Sequence, residues 1–184
     1  SRLTEKPVGR QPIETTLIDV TRIDEVVAGL KRQLEKKSRI YWVCPLVEEN
    51  EMLDLAAAEA RFEDLKAVFG ARVGMVHGKM KPTEKDKVMA QFQSGEIEVL
   101  VSTTVIEVGV NVPEATVMVI EHAERFGLSQ LHQLRGRVGR GADKSFCILL
   151  YRSPLSETAK ARLKIMRETE DGFLIAEEDL RLRG

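Results

Sequence analysis

The chain has 184 residues, enough for one well-buried domain with an appendage. Its 28 basic and 29 acidic residues leave a net charge of -1, which excludes a generic polyanion binder and confines any nucleic-acid contact to local patches. Apolar content of 43% is that of an ordinary soluble protein, and no apolar run approaches the ~18 residues needed to span a bilayer. Cys44 and Cys147 lie in apolar, strand-like runs, where small buried hydrophobes are expected rather than a disulfide. The start lacks a signal peptide's apolar stretch, so a reducing, cytoplasmic setting is the expectation.

Residues 1–14 carry Pro7, Gly9 and Pro12 among charges and read as a connector. Residues 15–20 predict a strand, after which Val26, Val27, Leu30 and Leu34 follow at helical spacing. The run from Ile40 to Cys44 is continuously apolar, as in a strand covered on both faces, and Pro45 ends it. Leu55, Ala58, Phe62, Leu65 and Phe69 form an unbroken apolar seam at i, i+3, i+7, i+10 and i+14, closed by Gly70 as a C-cap. Residues 73–77 predict a short strand, and Pro82 fits the first turn of a helix whose apolar face ends at Phe92. Further buried runs cover 97–102, 117–120 and 146–150. Over residues 15–152 the alternation predicts an α/β fold, a mostly parallel sheet with helices on both faces and sites at the carboxyl ends of its strands.

Two stretches carry chemistry. In the first, Gln130, Gln133, Arg137 and Arg140 fall at i, i+3, i+7 and i+10, which on a continuous helix gathers two amides and two guanidiniums on one face. Leu131, Leu134 and Val138 would anchor that helix. Gly136 and Gly139 would then each cost about 1 kcal/mol as helix-interior glycines, a loss that close approach of another backbone or a ligand would explain. Arginine grips phosphate oxygens bidentately and keeps its charge, although a solvated basic face is the plainer alternative.

In the second stretch, Ser102, Thr103 and Thr104 follow a strand and can donate to nucleic-acid phosphates without reading sequence, the alternative being a polar loop with helix caps. Glu107, Gly109, Asn111 and Pro113 complete it. No Gly-rich loop ending in Gly-Lys-Ser/Thr is present, since around Gly74, Gly78 and Lys79 the spacing is short and Met80 replaces the hydroxyl. No Asp-Glu pair closes an apolar strand to hold Mg²⁺. His77, His122 and His132 lie outside any Cys/His cluster, so no metal site is expected.

The order Gln-x-x-Gly-Arg-x-Gly-Arg from Gln133 to Arg140 resembles the last motif of superfamily 2 helicases. Thr103, Gly109, Asn111 and Pro113 resemble their motif V, with Asn111 where many relatives have aspartate. The stretches 41–49, 75–80, 124–133 and 171–184 narrow the resemblance to the RecG family of bacterial ATP-dependent DNA helicases, with the transcription-repair coupling factor as its cousin. That resemblance implies a RecA-like second motor domain over residues 15–152, followed over 153–184 by the start of a translocation hairpin, its first helix over 156–169 with Ala159, Leu163 and Met166 on one face and its second a charged helix after Phe173. It implies Arg137 and Arg140 as arginine fingers, Gly109, Asn111 and Gln133 at the nucleotide, and Ser102, Thr103 and Thr104 at DNA. It also implies ATP and Mg²⁺ held mainly by a first RecA-like domain elsewhere in the polypeptide, a wedge domain, branched double-stranded DNA as partner, and no activity for this stretch alone. A non-catalytic interaction module is the alternative from another class.

Overall fold

The computed structural model describes residues 12–46, 50–103 and 112–183. Six strands form one sheet: β1 (Ile13–Asp19), β2 (Arg39–Val43), β3 (Val73–Val76), β4 (Val99–Ser102), β5 (Ala115–Ile120) and β6 (Ser145–Tyr151). Their spatial order is β1-β6-β5-β2-β4-β3, and every pairing is parallel. Between and after them run α1 (Ile23–Glu35), α2 (Glu51–Phe69), α3 (Pro82–Ser94), α4 (Leu128–Arg135), α5 (Glu157–Glu168) and α6 (Gly172–Arg183). This is the parallel α/β architecture that the alternation of strands and helices predicts.

Each central strand serves two cores because successive side chains point to opposite faces. In β2, Ile40 and Trp42 join Val26, Leu30 and Leu34 of α1 and Ala58, Leu65 and Phe69 of α2. Tyr41 and Val43 join Phe92 of α3, Leu128, Leu131 and Leu134 of α4, Leu163 and Met166 of α5, and Ile175 of α6. Burying each of the large side chains contributes about 1.5–3 kcal/mol, so neither face is dispensable.

Helices α2, α3, α5 and α6 start where their sequences supply a cap. Asn50 Oδ1 accepts the Met52 N–H at 2.8 Å, Glu84 Oε1 accepts the Lys81 N–H at 3.2 Å, and Ser156 Oγ accepts the Ala159 N–H at 3.0 Å. Asp171 Oδ1 accepts the Phe173 N–H at 2.9 Å, so α6 begins just before Phe173 rather than after it. No helix among the described residues is long and apolar enough to cross a membrane.

Candidate functional site

Helix α4 is enclosed on two sides and open on a third. Leu128, Leu131 and Leu134 are fully buried against the sheet. On the flank, Ser129 Oγ donates to Asp179 Oδ2 of α6 at 2.9 Å, and a Cβ at Gly172 would lie 3.5 Å from His132 Nε2. Gln130 and Gln133 are exposed, but Gln130 Oε1 accepts the Gly127 N–H at 3.0 Å and so caps the helix start.

The single helical face carrying Gln130, Gln133, Arg137 and Arg140 does not form. α4 ends at Arg135, and the chain tightens into a turn in which Arg137 N–H bonds to Leu134 O at 3.0 Å and Val138 N–H to Arg135 O at 3.2 Å. Gly139 has φ of 80°, a left-handed conformation that ends any helical continuation and that favours glycine. Neither Gly136, the residue that caps α4, nor Gly139 is therefore a helix-interior glycine, and the expected propensity cost does not arise. The close backbone approach is at Gly141, where a Cβ would collide with the carbonyl of Pro113.

The turn sets the two finger candidates in different surroundings. Arg140 is exposed, and its Nε donates to Gly136 O at 3.0 Å, folding the side chain back across the turn. Arg137 is half-buried, and its side chain makes no hydrogen bond or ion pair with the described residues. Both guanidiniums act on Tyr41 of β2: burial pushes its phenol up from the ordinary value, and the two positive charges oppose that rise.

The residue between Leu134 and Gly136 escapes a reading based on polar stripes. Arg135 is 1% exposed. Its Nη1 donates to Thr15 Oγ1 of β1 at 3.1 Å and to Met166 O, and its Nη2 donates to Thr169 O at 2.8 Å. Its Nη2 also lies 3.3 Å from His132 Nδ1. Burial pushes its pKa down from the usual arginine value, while nearby Cys147 and Glu170 work against that shift. Burial in turn pushes the Cys147 thiol up to about 12. The signal for Arg135 was its place at i+7 from Leu128 and i+4 from Leu131, on the apolar side of α4.

At the carboxyl edge of β2, β3 and β4, a cavity of about 210 Å³ is lined by Leu46, Glu51, Leu55, His77, Gly78, Lys79 and Thr103. Lys79 Nζ lies 3.4 Å from Glu51 Oε2. Of the hydroxyls expected at nucleic acid, Thr103 borders this cavity, whereas Ser102 is fully buried within the sheet and is not presented at the surface. Thr104, Gly109 and Asn111 lie outside the described residues. The arginine turn is not part of the cavity wall, but it meets the end of the Thr103–Pro113 stretch through the contact of Gly141 with Pro113.

A second charged network lies at the end of β5. Glu121 accepts from Trp42 Nε1 at 2.6 Å and from Arg61 Nε and Nη2 at 2.8 and 3.0 Å. Arg61 also stands over the Trp42 ring, 5.7 Å from its centroid. Burial pushes the Glu121 carboxyl up, but the hydrogen bonds and charge of Arg61, with the Trp42 and Cys44 bonds, hold it below the ordinary carboxylate value. Its partners are all committed to structure, so this network reads as a fastening of α2 to the sheet.

Residues 20–142 match the family described as helicase conserved C-terminal domain. The ATP-dependent DNA helicase RecG of Acidithiobacillus ferridurans is 59% identical over 97% of this chain and 26% of its own length. That of Bacillus subtilis is 50% identical over 100% of this chain and 27% of its own. The chain thus spans about a quarter of the length of these curated relatives. A solved structure of RecG bound to a three-way DNA junction superposes with a TM-score of 0.81 at 43% identity, covering 96% of this chain and 23% of that one. The C-terminal domain of the DEAD-box protein Dbp5, at 19% identity and a TM-score of 0.60 over 88% of this chain and 87% of that one, shares the fold. The chain belongs to the helicase conserved C-terminal domain family.

Proposed function

We propose that this chain is the second motor half of an ATP-dependent double-strand DNA translocase of the RecG kind, acting on branched DNA such as stalled replication forks. The observation that carries this reading is the 136–140 turn, which holds one half-buried arginine with no partner among the described residues and one exposed arginine beside it. A guanidinium so placed is available to a phosphate brought from outside the chain. The similarity to RecG proteins supports that motor over the transcription-repair coupling factor.

In this reading, ATP and Mg²⁺ are held mainly by a first RecA-like domain of the same polypeptide. The residues described here suit the complementary role, since they offer cations for developing phosphoryl charge and no Gly-Lys-Ser/Thr loop. Arg140 is the finger, Arg137 supports it, and Gln133, Gly109 and Asn111 face the nucleotide. Thr103, with Thr104 beside it, touches the DNA backbone at the carboxyl edge of β4, a grip that is sequence-blind and weakens with salt. A wedge domain elsewhere in the polypeptide would split the branch, residues 15–152 would form the motor domain, and residues 153–184 would open the translocation hairpin.

The test is ATP turnover by the full-length parent on branched DNA, wild type against Arg140→Ala, with DNA binding measured in parallel. Loss of turnover by about 10³-fold with binding retained is the expected result. Unchanged turnover with weakened binding of a protein partner would favour a non-catalytic interaction module instead.

A further inference from the structure

We infer that Arg135 is a positioning residue that sets the 136–140 turn by tying α4 to β1 and to the end of α5. The inference builds on the finger role proposed for Arg140. It starts from an anomaly: arginine is almost never fully buried unless paired with an acid. Here the oxygen acceptors are neutral, a hydroxyl on β1 and two main-chain carbonyls at the end of α5.

Those carbonyls belong to Met166 and Thr169, in the last turn of α5 and just past it, where a helix leaves its carbonyls without intrahelical partners and carries partial negative charge. The guanidinium is therefore matched to a helix terminus rather than to a carboxylate. A planar fork with five donors can reach all of these acceptors at once, which a lysine ammonium cannot do in the same plane. The turn from α5 to α6 is fastened beside it, since Glu170 Oε2 accepts the Ile13 N–H at 3.2 Å and Thr169 Oγ1 accepts the Asp171 N–H at 3.0 Å.

Arg135 is the last residue of α4, and the Val138 N–H bonds to its own carbonyl. Its backbone thus launches the turn while its side chain is fixed to β1 and to the end of α5. Freed of those bonds, the turn would keep its residues and lose its placement. A displacement of about 1 Å in a group that must meet a transition state can cost about 10²-fold in rate.

The experiment compares Arg135→Met, Arg135→Lys and Thr15→Val with wild type in the full-length helicase, measuring kcat and KM for ATP on branched DNA, with thermal unfolding as a control and Arg140→Ala alongside. For Arg135→Met the expected result is a fall in kcat of about 10²-fold with KM for ATP changed less than about 3-fold. Arg135→Lys should recover only part of that loss, and Thr15→Val should lower kcat severalfold in the same direction. A folded Arg135→Met with wild-type kcat overturns the inference. Should Arg135→Met fail to fold, Thr15→Val decides: reduced kcat at unchanged KM supports the inference, and unchanged kcat overturns it. If Arg140→Ala also leaves turnover intact, the finger role falls. If Arg140→Ala abolishes turnover while folded Arg135→Met does not, only the positioning role falls.

Discussion

Two arginines are held inside this chain by opposite means. Arg61 reaches from α2 to a carboxylate, Glu121, in a two-pronged ion pair that also engages Trp42. Arg135 reaches from α4 to neutral oxygens on β1 and α5. The first arrangement neutralises its charge within a sheet edge and one helix. The second meets a hydroxyl and helix-end carbonyls, with the charge of Glu170 acting on it as well, and it holds only while three separate elements keep their relation. An ion pair of the first kind can fasten a structure permanently. A bond set of the second kind transmits relative position, because moving α5 removes its acceptors.

The sharpest way to break this comparison is Arg61→Met, which leaves Glu121 buried without its cation. The expected cost is about 3 kcal/mol in denaturant unfolding followed by the fluorescence of Trp42, the single tryptophan. A loss under about 1 kcal/mol would mean that Glu121 is served by Trp42 and Cys44 without Arg61.

An intermediate effect is expected with acid. The folded carboxyl of Glu121 is held below its ordinary value, so its contribution is fully present at neutral pH and disappears as pH falls through that depressed value. Stability of wild type should therefore fall more steeply than that of Glu121→Gln between about pH 5 and about pH 2. Parallel curves would show that Arg61 and Glu121 are not coupled in solution. No comparable acid step is expected from the neutral acceptors of Arg135.

The smallest effect sharpens the other side. Ser129→Ala removes one tie between α4 and α6 while Arg183 still reaches Asp179 at 2.9 Å, and should cost about 1 kcal/mol. Thermal unfolding checks it, and a cost as large as that of Arg61→Met would move the main link between α4 and the C-terminal helices from Arg135 to Ser129.

Much of the fold was legible because apolar periodicity is a direct record of which faces are covered. The run from Ile40 to Cys44 announces a strand between two cores, and the seam from Leu55 to Phe69 announces α2. Helix ends were less legible. Around Arg137 and Arg140 the side-chain spacing continues to suit a helix after the backbone has left it, because the positive φ of Gly139 leaves no trace in the periodicity. Arg135 was hidden by its own chemistry: a charged residue on an apolar stripe looks like an interruption when its acceptors are main-chain carbonyls more than thirty residues away. The stretch around Thr103 was half legible. Its place after β4 could be read, but which hydroxyl lines the cavity depends on side-chain direction at the end of the strand.

The sheet order sets a timetable for folding. Among the described strands β1 lies at an edge and pairs with β6 alone, so Ile13 finds its partner at Ser145. Such a long closure is slow relative to local helix formation and comes late when a chain emerges from its N-terminus. Until β6 is made, β1 has no strand to pair with and Thr15 cannot receive Arg135. The last strand laid down therefore completes the sheet, and the end of α5, which follows it in the chain, is then brought to the first strand and the arginine turn.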